Sequence, residues 1–301
     1  PLHENNNKTH KERCEMKKTC IIMLVLLLVL TLFSGTTFAA TPVQPPEGDF
    51  TWSGNGDGTV TITGYKGKAT DIIIPDTLGG KSVTVIGNDA FYNKRLTSVV
   101  IPSSVTTIVS NAFRNNLLTS VTIPDSVTTI GSAAFTENKL TSVVIPSSVT
   151  TIGNGAFSYN QLTSVVIPSS VTTIDHYAFR NNQLTSVTIP DSVTTIGNAA
   201  FAENKLTSVV IPSSVTTIGN YAFSHNQLTD VTIKNANVTI GSTAFRNNQE
   251  NPSNLTIHGH DPSTAKDHAN QNGYTFVVLT TNDDDGSGDE SGSGDDGSGD
   301  E

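Results

Sequence analysis

Few residues in this chain have types and spacings suited to chemistry. His258 and His260 lie two residues apart and would share one face of a strand, which is the arrangement of a metal-ligand pair. No cysteine or third histidine lies near them in the sequence. We therefore interpret them as a histidine pair in a terminal cap and predict no metal site.

A second candidate lies near the C-terminal end. Asp283, Asp285, Ser287 and Gly288 imitate the first half of a calcium-binding loop. An EF-hand requires glutamate at the twelfth position of this loop, where Gly294 stands, so the pattern predicts no EF-hand.

Serine and threonine are abundant but recur in regular columns, which is a structural pattern. A nucleophile needs a base and an orienting group close by. His176 and His225 occupy variable positions and nothing in the sequence pairs them with such groups. We predict no enzymatic activity and no cofactor.

The elements that carry these residues follow from a 22-residue repeat, L-T-S-V-V-I-P-S-S-V-T-T-I-G-N-G-A-F-S-Y-N-Q. Its leucine recurs from Leu96 to Leu228 and its phenylalanine from Phe91 to Phe245, with no slip in the spacing. A fixed period of this length predicts a solenoid in which each unit contacts its neighbours. The predicted fold class is a β-rich solenoid built from 22-residue units.

Within each unit, apolar and polar residues alternate after the leucine, as in a strand with one buried face. We expect this segment to form the main sheet and its outward residues to form a strip that contacts a protein partner. The Ala-Phe pair suits one helical turn, and the glycine after the isoleucine, as at Gly131, suits a turn with positive φ. The candidate strip comprises Ser98, Val100, Ser120, Thr122, Ser142, Val144, Ser164, Val166, Ser186, Thr188, Ser208 and Val210.

An asparagine precedes each next leucine, from Asn116 to Asn226. Stacked amides at a fixed turn satisfy backbone groups of adjacent coils, so we predict a structural ladder here. The motif Arg-Asn-Asn recurs every 66 residues from Arg114, which indicates that a block of three coils was duplicated.

The repeat L-T-S-V-x-I-P-x-S-V-T-T-I-G-x-x-A-F-x-x-N resembles the BspA-type, or treponema-type, leucine-rich repeat of bacterial and protist surface proteins. The resemblance covers about residues 50–280 and includes an opening module near Gly58–Tyr65 and a closing module at Leu255–Phe276. It implies a right-handed leucine-rich repeat coil with a cap at each end. It also implies export and, for some members, adhesion to host proteins such as fibronectin and fibrinogen. This chain departs from the family at the turn before the leucine, where it has no cysteine.

The ends of the array have the composition of caps. A hairpin is predicted over Phe50 to Thr63 with its turn at Gly54–Gly58, and Trp52 is expected to pack on the first coil. At the other end, Asp261 is predicted to cap a helix that has Pro262 at its first position, and Gly273 to end it. Tyr274 to Leu279 is expected to form a last strand.

The remaining segments complete the predicted domain organisation. Met16-Lys17-Lys18, a short apolar run and small residues predict a signal peptide cleaved near Ala39 or Ala40, and residues 1–15 are read as an upstream extension. Both cysteines precede the cleavage site, so no disulfide is expected. The predicted divisions are 1–15 extension, 16–40 signal peptide, 41–90 N-terminal cap and irregular repeat, 91–250 array, 251–280 C-terminal cap and 281–301 disordered acidic tail.

Charge restricts the class of partner. Nine acidic residues lie in residues 283–301, whereas residues 41–282 hold 15 acidic and 12 basic residues. The nearly neutral body has no basic footprint for nucleic acid, and we expect no membrane insertion of the mature chain. The sequence does not determine the oligomeric state.

Three functions remain open at this stage. The first is an exported protein-binding or adhesion module at a cell surface. The second is a passive structural spacer or surface-coat element without a specific ligand. The spacer would be favoured if the edge residues Tyr159, Tyr177, Tyr221 and His225 proved insensitive to mutation. A minor alternative is ice binding by the threonine column Thr107, Thr129, Thr151, Thr173, Thr195 and Thr217.

Overall fold

The repeat winds into about ten turns of a β-solenoid because every coil buries the same apolar positions. The structure, a computed structural model, describes residues 42–279. The signal peptide and acidic tail predicted above lie outside these residues. In the coil that starts at Leu140, the buried positions are Leu140, Val143, Ile145, Val149, Ile152, Ala156 and Phe157.

Within residues 42–279, short strands make up nearly all the regular structure. The single α-helix described, α1, spans Thr264–Asn272, and short 3-10 turns lie at Glu47–Asp49 and Pro252–Asn254. The strands are β1 (Phe50–Gly54), β2 (Val60–Tyr65), β3 (Asp71–Ile73), β4 (Thr77–Leu78), β5 (Lys81–Ile86), β6 (Ser98–Val100), β7 (Thr107–Ile108), β8 (Thr129–Ile130), β9 (Thr151–Ile152), β10 (Thr173–Ile174), β11 (Thr195–Ile196), β12 (Ser208–Ile211), β13 (Thr217–Ile218), β14 (Asp230–Ile233), β15 (Thr239–Ile240), β16 (Thr256–Gly259) and β17 (Thr275–Val278).

The continuous sheet of the solenoid is formed by the Thr-Ile dipeptides. It runs in the order β1-β2-β5-β7-β8-β9-β10-β11-β13-β15, and its repeat strands pair in parallel with threonine opposite threonine and isoleucine opposite isoleucine. A 22-residue period with no slip is what keeps this register from one coil to the next.

The expectation that the segment after each leucine forms the main sheet was wrong. That segment is a strand at the ends of the array, as β3-β6 and as β12-β14-β16-β17. In the middle coils this segment pairs with its neighbours only through single bridges. The hydrogen bonds between these coils come from flanking positions, where Lys139 N donates to Leu118 O and Thr141 N donates to Thr119 O.

Phenylalanine rings form the centre of the core. From Phe91 to Phe245 they stack with centroids 5.1 to 5.7 Å apart and planes within 11° of parallel. All of them are fully buried, so the column excludes water along the whole array. The Ala-Phe segment is a turn and not the expected helical turn, because the N–H of Phe135 donates to Ala156 O of the next coil.

The predicted asparagine ladder is confirmed and lies beside this column. The Nδ2 of Asn160 donates to Phe135 O of the preceding coil and to Phe157 O of its own coil, at 2.9 and 3.1 Å. Its Oδ1 accepts from Leu140 N at 3.0 Å. One buried amide therefore satisfies backbone groups of two coils, and the same pattern recurs from Asn116 to Asn248.

The glycine after each isoleucine has a different role from the one expected. Gly131, Gly153, Gly197 and Gly219 do not have positive φ. A Cβ at Gly197 would instead stand 2.5 Å from the backbone nitrogen of His176 in the preceding coil. These glycines are needed because the backbones of adjacent coils approach closely at this corner.

The N-terminal cap is the predicted hairpin. Strands β1 and β2 pair antiparallel, with Gly56 and Gly58 at positive φ in the turn between them. Phe50 and Tyr65 tilt over the first ring of the phenylalanine column and cover it. Trp52 lies against Gly79 and is 38% exposed, so it covers less of the first coil than expected.

The C-terminal cap contains the predicted helix and last strand, but its N-cap was predicted wrongly. Ser263, in an extended conformation, caps α1 by accepting a hydrogen bond from Lys266 N. Asp261 instead receives Lys266 Nζ at 2.7 Å, because its carboxylate lies too far before the first turn to reach its N–H groups. Gly273 ends the helix in the left-handed conformation, as predicted.

Candidate functional site

The candidate strip faces solvent along the array. Eleven of its twelve residues are exposed and Ser98 is half-buried. Bridges join Val100 to Thr122, Thr122 to Val144 and Val144 to Val166, so the outward side chains form one row. The valines of this row are the apolar part of the surface, with Val144 and Val166 exposed by 66% and 76%.

The row opens into a groove at its C-terminal part. Among the described residues no bridge joins Val166 to Thr188 or Thr188 to Val210. A groove of about 280 Å³ lies there, lined by the apolar faces of Val187 and Val210 and by the charged Lys234. The strip thus combines a flat β-branched row with one concave place.

The threonine columns expose less of their hydroxyl surface than the sequence predicts. Of the six threonines of β7 to β13, Thr129 and Thr151 are exposed and the other four are half-buried, and all lie in the continuous parallel sheet. Their neighbours one residue earlier hydrogen-bond the preceding coil, as Thr194 Oγ1 does to Thr172 O at 3.2 Å. Part of this hydroxyl surface is therefore used within the fold.

A second surface lies at the turns around the Ala-Phe pairs, and sequence reasoning missed it as a site. Each coil places two residues there in the left-handed region: the one before the alanine and the one two after the phenylalanine. Gly155 and Asn181 suit such backbone, but Tyr159, Tyr177 and Tyr221 also adopt it, with φ between 53° and 60°.

Tyrosine at positive φ has a steric cost. Left-handed backbone destabilises a bulky non-glycine residue by about 1–3 kcal/mol. The fold does not demand tyrosine there, because Gly155 and Ala199 occupy the position of Tyr177 and Tyr221 in neighbouring coils, and Asn181 occupies that of Tyr159. Each of the three tyrosines is also 41–43% exposed. Aromatic side chains held outward on strained backbone are the signal that would have identified this edge.

Arg180 organises the tyrosine edge. Its guanidinium carbon lies 5.8 Å from the ring centroid of Tyr159 and 5.7 Å from that of Tyr177. Its Nε and Nη2 both donate to Glu203 Oε1, at 3.1 and 2.6 Å. The hydrogen bonds that Arg180 donates to Glu203 raise the pKa of Arg180 above its ordinary value, and partial burial opposes this effect. The tyrosines therefore stand on a fixed, charge-paired support.

Other histidines have structural partners. The Nε2 of His258 faces Asp230 Oδ1 at 3.4 Å, whereas that of His260 lies 2.9 Å from Lys234 O. The described residues contain no cluster of three or more groups suited to hold a metal ion. Within residues 42–279 no helix has the length and apolar character needed to cross a membrane.

His268 takes the place of a phenylalanine at the end of the stacked column. Its ring meets Phe245 edge-on at 5.8 Å and Tyr274 at 6.0 Å. The side chain is only 5% exposed, and its Nε2 has no hydrogen-bond partner among the described residues. Burial lowers the pKa of His268 from 6.5 to about 4. This histidine is therefore neutral at physiological pH.

The parallel coils, the asparagine ladder and the stacked column define a leucine-rich repeat solenoid, a class of proteins that is generally non-catalytic. Residues 84–205 and 150–268 match the family model described as the BspA type leucine rich repeat region, in six copies. The match covers more than half of the chain, and the chain belongs to this family of leucine-rich repeat surface proteins.

One solved structure shows the same fold, and two others are similar in sequence. A leucine-rich repeat protein from Bacteroides ovatus is 23% identical, with 70% of each chain covered and a TM-score of 0.50, which establishes the shared fold. A leucine rich cell surface protein from Faecalibacterium prausnitzii is 31% identical over 73% of this chain and 76% of its own, with a TM-score of 0.47. The leucine rich repeat protein of T. pallidum is 25% identical over 78% and 98%, with a TM-score of 0.48. A search of curated proteins finds no match.

Proposed function

We propose that this chain is an exported protein-binding module that acts in adhesion at a bacterial surface, with host extracellular matrix or plasma proteins as its partners. The observation that carries the proposal is the exposed row of the candidate strip. Val100, Thr122, Val144 and Val166 stand side by side in successive coils with their side chains in solvent. Adjacent exposed apolar groups, unlike isolated ones, are typical of interaction surfaces.

Magnitudes indicate how such a row would bind. Fully burying a valine contributes about 1.5–3 kcal/mol, so the three valines of the row, which are exposed by 45–76%, contribute roughly 3–6 kcal/mol on contact. Association costs at least about 4 kcal/mol in lost freedom. The row alone therefore supports only weak contact, and firm attachment needs repeated contacts along the array or an aromatic anchor elsewhere.

The charge of the body agrees with this mode of binding. Residues 41–282 are nearly neutral, and the strip holds no charged side chain. A partner would bind through apolar and hydrogen-bonding contacts, and the affinity would change little with salt. Strong salt dependence would point instead to a polyelectrolyte partner.

The experiment measures binding of the immobilised protein to fibronectin, to fibrinogen and to an inert control protein at low and high salt. The strip variant carries Val144→Glu and Val166→Glu. The matched control carries Ser147→Glu and Ser169→Glu, which place the same charges at exposed positions of the same two coils outside the strip.

Saturable binding to fibronectin or fibrinogen that the strip variant loses and the control variant keeps would support the proposal. Equal binding by both variants would remove the strip as the contact surface. Binding no stronger than to the inert protein would contradict the adhesive role and favour a passive spacer.

A further inference from the structure

The tyrosine edge contains a slot with defined walls. Tyr177, Ala199 and Tyr221 occupy the same position in three successive coils, so an alanine separates two tyrosines. Phenylalanine rings of these coils are spaced by 5.4 Å, which puts about 11 Å between equivalent positions two coils apart. Both tyrosines line a groove of about 220 Å³.

The floor of the slot is apolar. Ala199 and Ala202 both line the groove, and both are buried. Carbon atoms in contact lie about 3.5–4.0 Å apart, so a flat group between two ring faces needs about 7–8 Å. A coil spacing of about 11 Å therefore leaves space for one ring between the two tyrosines, including the pucker of a saturated ring.

The polar groups at the rim are already paired with one another. Glu203 accepts from Arg180, Asn198 Oδ1 accepts from Asn220 N at 2.8 Å, and His225 Nε2 lies 3.0 Å from Asn247 Nδ2. The hydroxyls of the two tyrosines, by contrast, hydrogen-bond no described residue. The slot thus offers two tyrosine rings, of which that of Tyr177 also contacts the Arg180 guanidinium, and two O–H donors.

We propose that this slot binds a proline-rich, extended segment of a protein partner, a proposal that rests on the protein-binding function above. A pyrrolidine ring is a puckered apolar ring of the size that the slot admits. Proline carbonyls accept hydrogen bonds while the residue has no N–H to satisfy, which matches the free tyrosine O–H donors. Proline-rich segments are extended before binding, so they lose little entropy on docking into aromatic-lined grooves.

The same observations disfavour a sugar as the occupant. A glycan has many hydroxyl groups that both donate and accept, and each needs a partner when it is buried. The carboxylate and amide groups that would meet these hydroxyls are held in the pairs described above. A proline-rich strand makes no such demand on the slot.

The test titrates the purified protein into a fluorescent decaproline peptide and follows anisotropy. A peptide with every proline replaced by alanine and a soluble glucose oligosaccharide serve as comparison ligands. Tyr177→Ala and Tyr221→Ala each remove one wall. Ala199→Tyr fills the slot, and its backbone at φ 53° is the conformation that both tyrosines already adopt. Tyr92→Ala, at an equally exposed tyrosine outside the slot, is the matched control.

We expect saturable binding of decaproline, weakened about tenfold or more by each wall variant and by Ala199→Tyr, and unchanged by Tyr92→Ala. Ala199→Tyr adds an aromatic ring, so general stickiness would increase binding in this variant, whereas a filled slot decreases it. Far-ultraviolet circular dichroism of each variant must match that of the parent for its result to count.

Binding of the alanine peptide as tight as that of decaproline would overturn the proposal, as would full binding by Ala199→Tyr. Oligosaccharide binding that Ala199→Tyr abolishes would assign the slot to glycans and also overturn it. The two proposals fail separately. If fibrinogen or fibronectin binds Ala199→Tyr as tightly as the parent, the slot proposal fails and the adhesive role stands. If the protein binds decaproline but binds neither fibrinogen nor fibronectin, the adhesive role fails and the slot proposal stands.

Discussion

Replacing His268 by phenylalanine should remove a pH-sensitive weakness from the C-terminal cap. The structure buries this imidazole against Phe245 and Tyr274 with its Nε2 unpaired. Burial lowers the pKa from 6.5 to about 4. Each pKa unit corresponds to about 1.4 kcal/mol, so the shift amounts to roughly 3 kcal/mol.

The sign follows from proton binding. Between pH 6.5 and 4 the unfolded cap binds a proton at this site and the folded cap does not. The cap therefore has its full stability above pH 6.5 and loses it progressively as the pH falls towards 4. Other charges near this ring are Asp267 on α1 and Arg246, whose charge acts on Tyr274, and both remain in the variant.

The assay is amide hydrogen exchange of α1 and β17 in the parent and in His268→Phe at pH 7 and pH 4.5, corrected for intrinsic exchange rates. Repeat arrays open locally, so the free energy of opening the cap is the relevant quantity. Between pH 7 and pH 4.5, the free energy of opening the cap should fall by about 2–3 kcal/mol more in the parent than in the variant. A groove of about 360 Å³ beside His268 leaves room for the larger ring. Equal pH dependence in the two proteins would refute the reasoning.

Three further predictions concern the array. Asn160→Ala should lower the free energy of unfolding by about 3 kcal/mol, because it leaves buried backbone groups of two coils unpaired; urea denaturation measures the loss, and an unchanged midpoint would contradict the ladder. Gly197→Ala should destabilise the folded protein by about 1–3 kcal/mol, whereas Gly54→Ala, which has open space around its Cβ, should not. Thermal unfolding of both variants measures the difference, and equal losses would indicate a general effect of replacing glycine. Tyr159→Asn should raise the melting temperature through a gain of about 1 kcal/mol, since asparagine tolerates left-handed backbone better, and a lower melting temperature would show that tyrosine packing outweighs the strain.

The solenoid was predictable because its determinants are local and repeated. Leucine, isoleucine and phenylalanine columns at one spacing leave a single way to bury them together, and the asparagine before each leucine has one set of backbone groups within reach. The hairpin cap was equally predictable, because its glycine-rich turn is visible in the sequence. These features depend on residue type and spacing, which the sequence contains.

The features that could not be predicted depend on distances between coils. The glycine after each isoleucine was expected to need positive φ. The actual reason for glycine is that the backbone of the neighbouring coil leaves no space for a Cβ atom at this position. Asp261 was expected to cap α1, but Ser263 is better placed to reach Lys266 N. The slot between Tyr177 and Tyr221 arises only when coils are stacked, so residues 44 apart in sequence become walls of one groove.

The directionality of the asparagine ladder has a consequence for the free protein. Every coil uses its amide to bond the coil before it, so the two ends of an uncapped array are complementary, as the head and tail of one building block are. Such a contact joins different surfaces and does not close on itself, and chains lacking both caps, β1 and β2 as well as α1 and β17, would add end to end into filaments. The caps therefore act as terminators of a linear polymer that the repeat itself would otherwise encode.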